Sequence, residues 1–215
     1  MRIIDLTHTI DENMPVFPGT NPPVLNRKCT IEEHGFREAE ITMFSHTGTH
    51  IDAPAHMLMN GATLDELPVE KFIGKAMVIN LASLSHKTIE LQDIVSYKEK
   101  IKAVDFVIIR SDWDKYWGSE DYYKGFPALS DEATKWISEF NLKGIGIDAI
   151  SIDAMDSKSF NVHTILLNRG MIIIENLTNL SAIEKEFFML SVLPLKSKSA
   201  DGSPVRAIAI ESIED

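Results

Sequence analysis

The chain has 215 residues, of which 44% are hydrophobic and 25% are charged, proportions typical of a soluble globular protein. Its net charge of −11, from 21 basic and 32 acidic residues, argues against nucleic acid or an anionic membrane as a partner. The single cysteine, Cys29, excludes an intrachain disulfide, and residues 1–11 lack the apolar core of a signal peptide. No apolar run reaches transmembrane length, so we expect one cytoplasmic domain spanning residues 1–215.

Apolar periodicity and turn residues predict the order of the secondary-structure elements. Strands are expected at 3–6, 37–44, 76–81, 104–109, 144–147, 171–174, 187–195 and 205–210, the last two pairing across Asp201-Gly202. Helices are expected at 89–97, from a Ser130 cap to about Phe140, from an Asn161 cap to just before Gly170, and at a capping box in 181–184.

A rigid loop is expected at 14–23, because prolines at this density forbid a regular helix. Phe17 precedes Pro18 in this loop, and it either forms a wall of a substrate pocket or covers the core. His8, before the loop, is a lone histidine. We therefore expect it to be packed or hydrogen-bonded rather than to bind a metal.

The stretch 46–56 concentrates three of the seven histidines and one aspartate. In a straight strand His46 and His50 would lie roughly 13 Å apart, at about 3.3 Å per residue, which is too far to share one ion. The threonines, the proline and Gly48 disfavour a helix. We therefore predict a sharply bent strand with Gly48 as its pivot, in which Asp52 adds an oxygen ligand.

Histidine and aspartate are suitable ligands for zinc or manganese. Three protein ligands leave a position open for water, whose pKa a divalent ion lowers to about 7. His56 is either a fourth ligand or a proton shuttle, and Pro54, which separates it from the other three, favours the shuttle. The alternative is that these are loop histidines without a shared role.

Residues 111–125 form a long connector rich in tryptophan and tyrosine. Its length is unusual for a simple connection and is typical of a functional loop. It is either a lid over an aromatic or apolar substrate, or an oligomer contact or surface flap.

The stretch 162–175 places His163 in a short helix and Glu175 at the carboxyl end of an apolar strand. Ligands gather at such strand ends in α/β sheets. Alone these two residues are weak indications of a site. Asp148 and Asp153 are expected to bond to nearby backbone rather than to reach the site.

The stretch His46-Thr-Gly-Thr-His50-Ile-Asp52-Ala-Pro-Ala-His56 resembles the HxGTHxDxPxH motif of the metal-dependent cyclase and kynurenine formamidase (arylformamidase) family. Other blocks that are similar to the family's are 5–7, 14–19, 146–148, His163, 174–177 and 203–207, so the resemblance covers most of the chain. It implies an α/β fold of the swivelling β/β/α type, with a barrel-like mixed sheet and flanking helices. It also implies assembly as a homodimer or homotetramer.

The resemblance assigns roles to particular residues. Those that match the family's metal ligands are His46, His50, Asp52, His163 and Glu175. One or two ions, zinc or manganese, are implied; where two bind, Asp52 bridges them. His56 matches the histidine that does general acid/base work, and Glu175 is expected to take part in catalysis as well.

We therefore expect metal-assisted hydrolysis of a C–N amide bond in N-formylkynurenine, isatin or a related small aryl or cyclic amide. Phe17 stands where many formamidases of the family carry tryptophan, and Met57 where an aromatic residue is common, so the particular amide stays open. The alternatives are a lyase or cyclase acting on a polyketide-like or hydroxy-acyl substrate, a metal-containing binding protein without turnover, and a purely structural zinc site.

Overall fold

The computed structural model describes residues 1–212, which build short strands and helices around one large sheet. The strands are β1 (Arg2–Asp5), β2 (Val24–Cys29), β3 (Glu38–Thr42), β4 (His50–Asp52), β5 (Ile73–Asn80), β6 (Thr88–Ile89), β7 (Phe106–Arg110), β8 (Ala128–Leu129), β9 (Gly144–Ile147), β10 (Ile172–Glu175), β11 (Phe188–Ser191), β12 (Gly202–Pro204) and β13 (Ile208–Glu211). The α-helices are α1 (Ile31–His34), α2 (Leu91–Ile94), α3 (Lys98–Ile101), α4 (Asp131–Ile137) and α5 (Asn161–Asn168). Short 3-10 helices lie at Pro54–His56, Val69–Phe72, Val95–Tyr97, Trp113–Tyr116, Glu120–Tyr123 and Leu180–Ala182. Within residues 1–212 no helix is both long and apolar enough to span a membrane.

The large sheet has the strand order β1-β13-β11-β5-β7-β9-β10-β4-β12. Its centre, β5-β7-β9-β10, is parallel, and the strands on either side pair antiparallel. Parallel neighbours need crossover connections, which α2 and α3, α4, and α5 supply in turn. The helices therefore cover one face of the sheet.

The sheet curls so that β1 approaches the end of β10. The N–H of Thr178, just after β10, donates to the carbonyl of Leu6 at 3.1 Å, and Thr7 forms an antiparallel bridge with Leu177. These contacts join β1, the first strand of the order, to the end of β10, the seventh. The expected α/β class with a barrel-like mixed sheet is confirmed, and the sheet is a curled half-barrel.

Alternation along the strands divides the apolar side chains between two cores. Phe106 and Ile108 of β7 point into the core inside the curl, whereas Val107 and Ile109 face the helices. Each such fully buried side chain contributes about 1.5–3 kcal/mol to folding. With both faces packed, the sheet is a rigid support for the side chains that it carries near strand ends.

β2 and β3 form a separate antiparallel hairpin, with α1 between them. The predicted strand at 37–44 corresponds to β3, all of whose residues are exposed. Val24, Ile31, Phe36 and Ile41 are each about half exposed. The hairpin thus presents apolar surface that no described part of this chain covers.

All eight predicted strands correspond to observed strands, with ends shifted by a few residues. β11 and β13 pair antiparallel as expected, and Pro194 bridges Val205, but Asp201-Gly202 is not a simple turn between them. Residues 202–204 instead form β12, which pairs with β4 at the opposite end of the sheet. The connection from β11 to β13 crosses the curl, a long-range arrangement that a local turn signal does not reveal.

The predicted helix starts were right only in part. Ser130 caps α4 as expected, although the helix ends at Ile137. Asn161 is the first residue of α5 and not its cap, because Phe160 takes the cap position with a φ of 48°. The predicted capping box at 181–184 is wrong: the N–H of Glu184 donates instead to a carboxylate oxygen of β13, and a 3-10 turn precedes it.

The helix predicted at 89–97 is interrupted. Ile89 belongs to β6, and Val95–Tyr97 is a 3-10 turn between α2 and α3. The range predicted as one helix is therefore divided among three short elements. β6 pairs with β8, and this pairing draws the first residue of the predicted helix into an extended conformation.

The aromatic connector 111–125 packs onto the helix-side core. Tyr122 is fully buried, and the indole N–H of Trp113 donates to its carbonyl at 3.0 Å. Trp117 stacks on the ring of His8 with centroids 3.7 Å apart, so the expectation that His8 is packed is confirmed. The connector is a packed flap in this conformation.

Candidate metal centre and active site

β4 is the strand that organises the site. It lies between β10 and β12, with His50 opposite Glu175 and Asp52 opposite Gly202. Strand alternation sends Ile51 into the core inside the curl and turns His50 and Asp52 toward the helix side. Three chain segments that are distant in sequence therefore meet at one buried point.

His46 reaches this point through a turn. Gly48 has a φ of 64°, a region that glycine adopts without strain, and the strand proper begins only at His50. His46 Nδ1 lies 2.6 Å from Asp52 Oδ1, and the rings of His46 and His50 have centroids 5.2 Å apart. The predicted bend at Gly48 is confirmed, although residues 46–49 form a turn rather than strand.

Space for the His46 ring depends on Gly202. A Cβ atom at Gly202 would lie 2.4 Å from His46 Cε1 and 2.7 Å from Nε2, closer than any carbon contact allows. The ring is also held by Asp201, whose Oδ2 lies 3.0 Å from His46 Nε2. The connection between β11 and β13 thus forms one side of the site.

His50 is oriented by the backbone. Its Nδ1–H donates to the carbonyl of Gly48 at 2.8 Å, which leaves Nε2 as the free nitrogen. That Nε2 lies 3.3 Å from Asp52 Oδ1 and 3.5 Å from Glu175 Oε2. Held this way, the ring turns Nε2 toward the carboxylates, the orientation that a metal ligand needs.

His163 is oriented in the same manner by a carboxylate. Its Nδ1 lies 2.6 Å from Asp153 Oδ2, and its Nε2 lies 3.5 Å from Asp52 Oδ2 and 3.4 Å from Glu175 Oε1. Asp153 also accepts hydrogen bonds from the N–H groups of Val162 and His163, and so caps α5 from a distance.

The expectation for the two aspartates at strand ends is corrected. Asp153 does not bond only to nearby backbone: its partners lie nine and ten residues further on, and one is the site histidine. Asp148 accepts from the N–H and hydroxyl of Ser111 and from the N–H of Asp112, at the end of the neighbouring β7. Sheet adjacency determines the partners of Asp148, and the start of α5 supplies those of Asp153.

The carboxylate of Asp52 indicates that these residues fit a divalent cation. Asp52 is 1% exposed, and among the described residues its Oδ2 has no hydrogen-bond partner. A buried polar atom without a partner costs free energy unless something compensates it. Two groups of three side chains place a ligand atom from each residue within 4.8 Å of the others: His46, Asp52 and His56, and His50, Asp52 and Glu175. Asp52 belongs to both groups.

The pKa values of His46 and His163 reflect the negative charge of the carboxylates around them. Burial lowers the pKa of His163, but the hydrogen bond to Asp153 and the nearby carboxylates of Asp52 and Glu175 outweigh it and raise that pKa to about 12. Burial likewise opposes protonation of His46, yet Asp52 and Asp201 raise its pKa to about 9. The site therefore attracts a cation, and protons take that role when no metal is bound.

His56 differs from the other histidines in its surroundings. It ends the 3-10 turn Pro54–His56, with its ring centroid 3.9 Å from that of His46 and its Nδ1 3.7 Å from Asp201 Oδ2. Burial lowers the pKa of His56, and the nearby Asp52 only partly offsets this. A neutral imidazole on the cavity wall can accept a proton at neutral pH.

A cavity of about 250 Å³ opens over these groups. Its apolar lining is formed by Pro15, Val16, Phe17, Phe44, Met57, Ile150 and Phe160. Phe17 lines this cavity and also packs against the core, so it combines the two positions expected for it. No described residue of 111–125 lines this cavity, so the connector is not a lid in this conformation.

A larger cavity of about 620 Å³ lies behind Asp153, between the starts of α4 and α5. Its lining, within the described residues, contains neither histidine nor Glu175. It is therefore a different cavity from the one over the histidines, although Asp153 borders it. Asp112, Asp114 and Asp148 form another acidic group, but Arg110, Thr178 and Ser111 bind their oxygens.

The structure brings together every site residue predicted from the sequence: Phe17, His46, His50, Asp52, His56, His163 and Glu175. Sequence reasoning missed Asp201 and Asn176, and it gave Asp153 the wrong role. Asn176 directly follows Glu175, and its amide donates to the carbonyl of Gly48. An amide or carboxylate next to a predicted ligand is the signal that could have drawn attention to it.

Comparison with known proteins supports this interpretation of the site. Residues 4–154 match a family model described as "Putative cyclase". The kynurenine formamidase of Bacillus cereus is 31% identical over 206 residues, covering 95% of each chain. Isatin hydrolase A from Labrenzia aggregata, solved with benzyl benzoate bound, is 29% identical with a TM-score of 0.86, covering 97% of this chain and 93% of that one. A "predicted metal-dependent hydrolase" from Bacillus stearothermophilus is 26% identical with a TM-score of 0.81, covering 97% of both.

Proposed function

Because the chain belongs to the metal-dependent cyclase and kynurenine formamidase family, we propose that it is a metal-dependent hydrolase that cleaves a C–N amide bond. The substrate class is a small aryl formamide, with N-formylkynurenine as the first candidate, or a related cyclic amide. The kynurenine formamidase and isatin hydrolase relatives support these two forms of the substrate. One observation carries the proposal: a buried Asp52 carboxylate that lies against His46, His50 and His163 at once.

We propose that His46, His50 and Asp52 hold one divalent ion, and that His163 and Glu175 join Asp52 when a second ion binds. The mixture of imidazole and carboxylate ligands suits zinc and manganese alike. A divalent ion in this site supplies Lewis acidity to a carbonyl oxygen and makes water a nucleophile near neutral pH. That the buried Oδ2 of Asp52 lacks a partner among the described residues supports such an ion.

Side chains of the protein then carry out the proton transfers. His56, neutral because burial lowers its pKa, accepts a proton from the attacking water and delivers it to the leaving nitrogen. Glu175 is held by the N–H of Ile152, which donates to its Oε1 at 2.7 Å, so the other oxygen is free to orient the attacking water. Asp201, 3.7 Å from His56, favours the imidazolium that forms between the two transfers.

The apolar wall of the cavity supports an aryl substrate. Phe17 and Phe44 offer aromatic surface on one side, and Ile150 and Phe160 line the cavity as well. Aromatic pairs favour offset or edge-to-face packing worth about 0.5–1.5 kcal/mol beyond the area that they bury. An aryl ring would occupy this wall while its amide carbonyl faces the histidines.

The decisive test compares metal content and turnover in His50→Ala with those of a matched control, His34→Ala. His34 lies in the exposed α1, whereas His50 is buried at the centre of the site. We expect His50→Ala to lose bound zinc or manganese and amide hydrolysis together, with the control unchanged. Full metal content and a normal rate in His50→Ala would refute the proposal.

Product analysis separates the two substrate forms from the rival activities. An aryl formamide yields formate and an amine, whereas a cyclic amide yields a single product with the mass of one added water. A lyase or cyclase adds no water to its product. A binding protein retains metal but turns over neither N-formylkynurenine nor isatin.

We also propose that the chain assembles as a homodimer or homotetramer through the β2–β3 hairpin. Its half-exposed apolar side chains and Phe44, at the cavity edge, support an interface with a second copy. Ile41→Lys, in the exposed strand, should reduce the mass measured by light scattering to that of a monomer, and Glu40→Lys is the control. A cytoplasmic location remains a prediction.

A further inference from the structure

We propose that Tyr122 and Asn176 form a positioning relay that fixes the turn carrying the metal-binding histidines, so that Tyr122 sets metal affinity from outside the cavity. This inference rests on the proposed metal centre and adds residues to it. It also gives the aromatic connector 111–125 a role that neither a lid nor a surface flap would provide.

Asn176 holds the pivot of the metal-binding turn at two points. Its side-chain Nδ2 donates to the carbonyl of Gly48 at 2.9 Å, and its own carbonyl accepts from the hydroxyl of Thr49 at 2.6 Å. Asn176 is 5% exposed and has a φ of 56°, a conformation that asparagine tolerates better than most residues. It directly follows Glu175, so one short segment connects β10 to the turn before β4.

The carbonyl of Gly48 is where the relay meets the site. It accepts from Asn176 Nδ2 and, at 2.8 Å, from the Nδ1–H of His50. The second bond determines which nitrogen of His50 faces Asp52 and how the ring is turned. A shift of this carbonyl would therefore turn His50 away from the position in which it faces Asp52 and Glu175.

Tyr122 sets the orientation of the Asn176 amide. Its hydroxyl donates to Asn176 Oδ1 at 2.7 Å, and its side chain is fully buried in the helix-side core. Burial raises the pKa of Tyr122 well above 10, so the hydroxyl remains a donor. With Oδ1 bound to this donor, the NH₂ group must face Gly48. Without the hydroxyl, a buried amide oxygen loses its partner and the amide is free to rotate.

The test measures the dissociation constant for Zn²⁺ of the metal-stripped chain by competition with a chelator. The variants are Tyr122→Phe, Asn176→Ala, the double variant, and Tyr123→Phe as the matched control. Tyr123 is the neighbouring tyrosine, and its hydroxyl takes no part in the relay. Loss of such outer-shell partners typically costs 10- to 100-fold in metal affinity, so we expect Tyr122→Phe to weaken Zn²⁺ binding by about 10-fold.

The double variant distinguishes a relay from simple core packing. If Tyr122 acts through Asn176, removing its hydroxyl has no further effect in the Asn176→Ala background. An equal loss in both backgrounds, or no loss in Tyr122→Phe, would overturn the relay. Should Asn176→Ala fail to fold, Thr49→Val tests the same connection and Thr49→Ser restores its donor; equal affinity in these two would also contradict the relay. If the unaltered chain binds no Zn²⁺, the proposed function itself fails.

Discussion

His163 Nδ1 lies 2.6 Å from Asp153 Oδ2, and both residues are almost completely buried. Because Asp153 accepts the Nδ1 proton, Nε2 is the nitrogen that faces Asp52 and Glu175; it carries a proton in the metal-free chain and offers a lone pair once a metal displaces that proton. The same carboxylate caps the helix that carries His163. One side chain thus determines both the position of the histidine and which of its nitrogens is free.

Replacing this carboxylate should weaken the site without unfolding it. In Asp153→Asn the amide oxygen can still accept a helix N–H, but the negative charge beside His163 is lost. We expect metal affinity to fall by about 10- to 100-fold, as is typical for such partners of histidine ligands. Chelator competition measures this, with the exposed Asp156→Asn as the control. An unchanged affinity would show that Asp153 serves the helix alone.

Gly202→Ala tests whether the ring of His46 needs the space beside residue 202. The added Cβ would lie 2.4 Å from the ring, so the imidazole must move away from Asp52. Bound metal and turnover should both fall, by at least about 10-fold if the ligand is displaced. Ser203→Ala, on the next residue of the same strand and facing the opposite side, should leave metal affinity unchanged. Equal metal affinity in the two variants would contradict this geometry.

His56→Ala separates proton transfer from metal binding. Within residues 1–212, the imidazole has no hydrogen bond of the kind that holds His50 and His163. We expect the variant to retain its metal while turnover falls by about 10²- to 10⁴-fold, the usual contribution of a general acid or base. The exposed His86→Ala is the control. Loss of metal in His56→Ala would instead make His56 a ligand, the alternative that the sequence left open.

The raised pKa values predict how the metal-free chain responds to pH. The pKa of His46, about 9, and that of His163, about 12, both lie above the unfolded value of about 6.5. Their stabilising contribution is therefore fully present below pH 6.5 and is lost as pH rises through the folded-state values. The thermal midpoint of the chelated protein should fall between pH 6.5 and 9.

Metal should reverse this trend, because a bound cation replaces the protons on both imidazoles. Titration with Zn²⁺ in buffers of different ionisation enthalpy should reveal proton release near pH 7, and metal affinity should rise with pH. A metal-free thermal midpoint that rises between pH 6.5 and 9, or metal uptake without proton release, would contradict the assignment of these charges.

Much of the sheet could be predicted from the sequence, because its buried strands are short apolar runs with clear ends. Glu175 stood out since it directly follows Ile172, Ile173 and Ile174, and Gly48 stood out since only a bend could unite His46 with His50. These signals come from residues close together in the sequence, and both features are present in the structure.

The remaining parts of the site depend on the curl of the sheet. His46 and Asp201 are 155 residues apart, and their contact exists only because β12 crosses to pair with β4. Tyr122 reaches Asn176 through packing of a connector that has no periodic pattern. Patterns in the neighbouring sequence do not predict contacts of this kind. His163 and Glu175, in contrast, were identified as ligands by the resemblance to a family.

The central claim, that Asp52 anchors a divalent cation among these histidines, is tested most directly by anomalous diffraction from crystals grown with Mn²⁺. We expect a strong anomalous peak within coordination distance of the Asp52 carboxylate, with His46 and His50 as neighbours. A fully ordered site with no peak beside Asp52, or a peak only elsewhere on the chain, would contradict it.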